Sequence, residues 1–81
     1  MFSFQALKYA QEMVELHKTK LLTKKTEMTF WKETAANENS NEQMRKIAEE
    51  RAAEREKEMK EVIKTIERWY LQILSFRLRI F

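Results

Sequence analysis

The chain has 81 residues, 16 Lys and Arg against 13 Asp and Glu for a net charge of +3, one histidine, and no glycine, proline or cysteine. That length allows one small domain; without thiols there is no disulfide framework, and a single histidine leaves almost no ligand set for zinc. A core of this size rarely supplies more than a few kcal/mol, so self-association or docking on another protein is the expected supplement.

With no turn-making glycine and no helix-breaking proline, the chain reads almost end to end as helix. The first residues, MFSFQALKY, carry no basic segment and no apolar run of signal-peptide length. No stretch approaches the ~18 apolar residues of a membrane span. No span is expected, and the expected location is intracellular and cytoplasmic.

Helix 1 is predicted at about 3–36. A 3-4 repeat runs through it at Ser3, Leu7, Ala10, Val14, His17, Leu21, Lys24, Met28 and Trp31. Alternating steps of three and four keep a seam turned toward a partner helix in a left-handed coiled coil. The segment Thr34–Glu42 breaks the pattern: three asparagines and a serine offer side-chain bonds that compete with the helical ladder. Ser40 followed by Gln43 reads as a capping box, with Ser40 as the N-cap of the next helix. The connection is placed at about 37–40.

Helix 2 is predicted at about 41–79. Its repeat runs through Arg45, Ala48, Ala52, Arg55, Met59, Val62, Ile66, Trp69, Ile73, Phe76 and Ile80. Folded antiparallel, the two series match. Trp31 faces Arg45, Met28 faces Ala48, Lys24 faces Ala52, Leu21 faces Arg55, and Leu7 faces Trp69, with residues 77–81 running past the end of helix 1. The predicted fold is all-α: a long antiparallel two-helix hairpin, coiled-coil-like, dimerising into a four-helix bundle at the termini end.

The two ends of this hairpin differ. Twelve of the seventeen residues from Arg45 to Glu61 are charged, and that arm has a thin seam. Toward the termini the apolar surface is wider than one neighbour covers, which suits the interior of a bundle. The residues expected to mediate self-association or partner binding are Phe2, Phe4, Leu7, Tyr9, Met13, Ile66, Trp69, Tyr70, Ile73, Leu74, Phe76, Leu78, Ile80 and Phe81. The tail also alternates with period two, Phe76, Leu78 and Ile80 against Arg77 and Arg79, a pattern able to add a strand to a foreign sheet edge. Phe30 and Trp31, before the connection, are expected to staple the hairpin tip over Met44 and Ile47; exposed, they form a second contact point.

Catalysis finds no support: there is no cysteine nucleophile, no Gly-rich phosphate loop and no His-Ser or His-Asp constellation. His17 reads as a seam residue, and no cofactor is expected. Lys18, Lys25 and Lys32 recur every seven residues and form a basic ladder beside the seam, able to contact phosphates. In shape alone this resembles Rop-type helical hairpins, which dimerise into four-helix bundles. The resemblance implies RNA binding through one basic face.

The expected function is non-catalytic: an adaptor or inhibitor that acts by binding a larger protein. The alternatives are a nucleic-acid binder and a structural coiled-coil component of an assembly. Lysine-, asparagine- and glutamate-rich usage is compatible with an AT-rich genome such as that of a phage or mobile element.

Overall fold

The computed structural model describes residues 4–80, the side chains of residues 79 and 80 excepted. Two α-helices fill it: α1, Phe4–Ala36, and α2, Glu42–Ile80. They pack against each other along their length as an all-α helical hairpin. The molecule measures 59 × 14 × 14 Å, with a radius of gyration of 18.2 Å. A compact domain of this length has a radius near ~12 Å. The hairpin is a rod with almost no interior. Along α1, Thr19, Thr23, Thr26 and Thr34 each donate their hydroxyl to the carbonyl four residues back, which satisfies these groups without interrupting the ladder.

The turn needs no glycine because it is built from asparagine and serine side chains. Ser40 N–H donates to the Asn37 carbonyl (3.1 Å), and Asn39 N–H donates to Asn37 Oδ1 (2.9 Å). Among the described residues no backbone φ is positive. The expected capping box is not what forms. The N-cap of α2 is Asn41, whose Oδ1 accepts from Met44 N–H at 2.7 Å while its carbonyl accepts from Arg45 N–H at 3.0 Å. Ser40 instead closes the end of α1: its Oγ donates to the Thr34 carbonyl at 2.9 Å. An amide oxygen reaches the third helical N–H as well as a hydroxyl does, and Ser40 is drawn away by the orphan carbonyls of α1. Asn41→Ala is expected to cost about 1 kcal/mol and to lower the melting temperature by roughly 5 °C. Gln43→Ala is expected to change neither; a drop as large as that of Asn41→Ala would restore the capping box.

The buried core among the described residues consists of Ala10, Val14, Ala48, Ala52, Val62, Ile66 and Ile73. All belong to the predicted seams. Their pairing, however, is displaced by close to one heptad from the expected register. Arg55, expected opposite Leu21, bridges instead to Glu27, its Nε 2.6 Å from Oε2. Lys24, expected opposite Ala52, bridges to Glu58 at 2.7 Å. Each partner lies nearly two helical turns beyond the expected one. Arg45, expected against Trp31, is exposed, whereas Ala48 is fully buried and Ala35 half-buried. The expected register sets guanidinium and ammonium groups against apolar partners. The observed one gives Arg55 and Lys24 a carboxylate each, as half-buried charges require, and leaves Arg45 in solvent.

The same displacement corrects the termini end. Phe76 packs on the core cluster together with Leu7, Leu21 and Trp69, so α1 accompanies α2 further than the expected register allowed. The strand-like alternation of the tail does not set its conformation either: α2 stays helical through Ile80. Helical continuation keeps Phe76 on the seam, where its ring is covered. No helix among the described residues is long and apolar enough to cross a membrane.

Candidate functional site

The residues singled out at the termini end divide into two groups. Ile66 and Ile73 are buried, and Leu7, Trp69 and Phe76 are half-buried against them. These five hold the hairpin together and are not free for a partner. Tyr9, Tyr70, Leu74 and Leu78 stand out in solvent, as does the side chain of Phe4, and Met13 is half-buried. Phe2, Phe81 and the side chain of Ile80 lie outside the described residues.

The exposed apolar side chains do not form one surface. At 100° per residue, α2 carries Ile63, Tyr70 and Leu74 on one flank of its seam, and Leu71 and Leu78 continue that strip onto its back. This flank meets α1 at Gln11 and Lys18, where Val14, Tyr70, Ile73, Leu74 and Arg77 line an open groove of about 400 Å³. Leu71 is 66% exposed, Leu74 53% and Leu78 72%. On α1, Tyr9, Met13 and Leu16 turn the other way: Met13 lies one heptad before Lys20, which faces Glu61 and Thr65 across the opposite groove. Tyr9 closes on Trp69 edge to face, with ring centroids 5.7 Å apart. One apolar strip therefore lies on each side of the rod.

The lysine ladder is partly answered by the chain itself. Lys18 Nζ sits 5.7 Å from the centre of the Tyr70 ring and 3.5 Å from Glu15 Oε1. The Tyr70 hydroxyl first, and then the Glu15 carboxylate, hold the Lys18 ammonium above its ordinary pKa. Lys32 lines a shallow groove with Glu49 and Glu56, so the positive strip runs beside carboxylates of α2.

The tip is open. Phe30 and Trp31 stack edge to face at 5.0 Å, but Phe30 remains 58% exposed, and Met44 and Ile47, expected beneath them, are exposed as well. Trp31 itself is half-buried. Met44 and Ile47 thus join the candidate surface although the sequence marks them as covered. Their signal was present: both stand outside the 3-4 repeat of helix 2.

The charged layer in the seam is the densest electrostatic feature. Arg55 contacts Glu27 and Glu58, and Lys24 contacts Glu58. The Lys24 ammonium, aided by Arg55, holds the Glu58 carboxyl below its ordinary pKa. His17 Nδ1 is buried without a hydrogen-bond partner. No group of three or more His or Glu side chains that could hold a metal stands together among the described residues. No protein-family model, curated protein or solved structure matches this chain.

Proposed function

We propose that the chain is a non-catalytic protein-binding module, a small helical adaptor or inhibitor that acts by docking on a larger protein. The observation that carries this reading is the pair of exposed apolar strips on a rod whose core contains, among the described residues, no large, fully buried side chain. Strips of this kind, rimmed by charge, are costly to leave in water and mark interaction surfaces. For a foreign partner the favoured surface is Tyr9, Met13 and Leu16 of α1, with Phe30 and Trp31 as a second contact at the tip. Aromatic anchors of this type carry a large share of binding energy at protein interfaces.

The nucleic-acid reading has less support, because Glu15, Glu49 and Glu56 lie beside the lysine ladder. The test takes the chain as bait in extracts of its native host and then rebuilds any complex from the two purified proteins. Tyr9→Glu with Leu16→Glu is expected to abolish that complex while leaving the helical signal in place. A complex indifferent to these changes counts against the reading. Binding to RNA or DNA that falls steeply with salt, and is lost on replacing Lys18, Lys25 and Lys32 by Glu, replaces it.

A further inference from the structure

The strip on α2 carries an exposed acid toward one end and an exposed base toward the other. Beside the seam, α2 carries a second series, Glu67, Tyr70, Leu74 and Arg77, with steps of three, four and three. These are the steps of the 3-4 repeat itself, one residue on from the seam, and the charges set this series apart. An acid opens the series and a base closes it, at equal distances from a midpoint level with Gln72. Both are exposed, and neither is in an ion pair within the chain among the described residues.

We infer that the outer face of α2 is the contact for a second copy of this chain, laid antiparallel across it about a two-fold axis near Gln72. In that arrangement each Glu67 meets Arg77 of the second copy, and each Tyr70 meets its Leu74. Leu71, beside the axis, packs against the second copy's Leu71 and Leu74. The groove between Lys18 and Leu74 receives side chains from the other molecule. A two-fold contact uses the same patch on both sides, so self-complementarity of charge is what it requires. A parallel arrangement would set acid near acid and base near base. A foreign helix would not require an acid and a base at equal distances from one point. The strip from Ile63 to Leu78 is ~23 Å long at 1.5 Å per residue, which gives an interface at the small end of the stable range. The dimer therefore dissociates on dilution.

This inference rests on reading the exposed apolar surface as a docking surface, and it leaves the α1 strip and the tip to the larger partner. The test is sedimentation of the full chain from micromolar to near-millimolar concentration, with the helical signal recorded in parallel. The expected result is a monomer–dimer equilibrium. Glu67→Arg alone and Arg77→Glu alone each weaken the dimer by roughly three- to tenfold, and the two together restore it. Leu74→Glu gives a monomer that keeps its helix signal.

Because the chain lacks cysteine, single thiols give a second readout. Leu71→Cys, beside the axis, is expected to oxidise to a disulfide-linked dimer. Ile47→Cys, at the tip, is not. A monomer at every concentration, an open-ended series of oligomers, a dimer indifferent to Leu74→Glu, a double charge variant no tighter than the singles, or equal cross-linking at both thiols overturns the proposal. A monomer that still binds its partner through α1 removes the dimer and leaves the proposed function standing. A dimer without a partner does the reverse.

Discussion

Ile66→Ala is expected to unfold most of the isolated hairpin at physiological temperature. Ile66 is buried in the aliphatic core cluster of the described residues, with Val14, Val62 and Ile73, and Trp69 and Leu21 pack against that cluster. Truncating a buried isoleucine to alanine costs about 2–5 kcal/mol, and more where the surroundings cannot collapse into the space. Here the neighbours are held on two straight helices and have little freedom to close in. The remaining buried side chains toward the tip are Ala48 and Ala52, which contribute little apolar area each. A chain of this size has about that much stability in total. Thermal melting followed by helical signal measures the effect. A loss under about 1 kcal/mol would show that the stability lies elsewhere, in helix propensity or in an assembly.

Arg55→Glu is expected to lower the melting temperature by roughly 5–15 °C. Arg55 is the cation shared by Glu27 and Glu58, with 22% of its side chain exposed, in the arm where the buried residues are Ala48 and Ala52. Reversing its charge places three carboxylates around one half-buried point. Glu27→Arg introduced together with Arg55→Glu is expected to recover most of the loss, because the pair is then reversed rather than broken. A single variant that melts with the parent would show that the cluster neither stabilises the hairpin nor sets its register.

Acid acts on the same layer. Glu58 titrates below the ordinary carboxylate range in the folded chain, held there first by Lys24. Its contribution is therefore present above the unfolded value and is lost as pH falls through the folded one. The hairpin is expected to loosen on acidification below the usual carboxylate range. Glu58→Gln removes that component of the pH dependence.

The candidate surface was only partly legible in the sequence. The surplus of apolar residues toward the termini could be counted, and Tyr9, Tyr70, Leu74 and Leu78 are indeed exposed. Counting does not tell an exposed side chain from a seam residue at the same end, and so groups Ile66, Trp69 and Ile73 with them. The series from Glu67 to Arg77, an acid at one end and a base at the other, is written in the sequence as well. It becomes meaningful once the other flank of α2 is known to be occupied by α1.

By themselves the 81 residues determined two long helices, one reversal and a seam on each helix. These are local matters: backbone bonds four residues apart, side chains that tolerate them, and a cluster of asparagines where the ladder stops. Only the tertiary structure decided which heptad faces which, and on which side of the rod each apolar strip lies. A repeat of seven looks the same after a shift of seven, so the spacing of apolar residues cannot choose among such registers. The choice falls to contacts between the helices, Arg55 with Glu27 and Lys24 with Glu58, which exist in one alignment and are missing from the next.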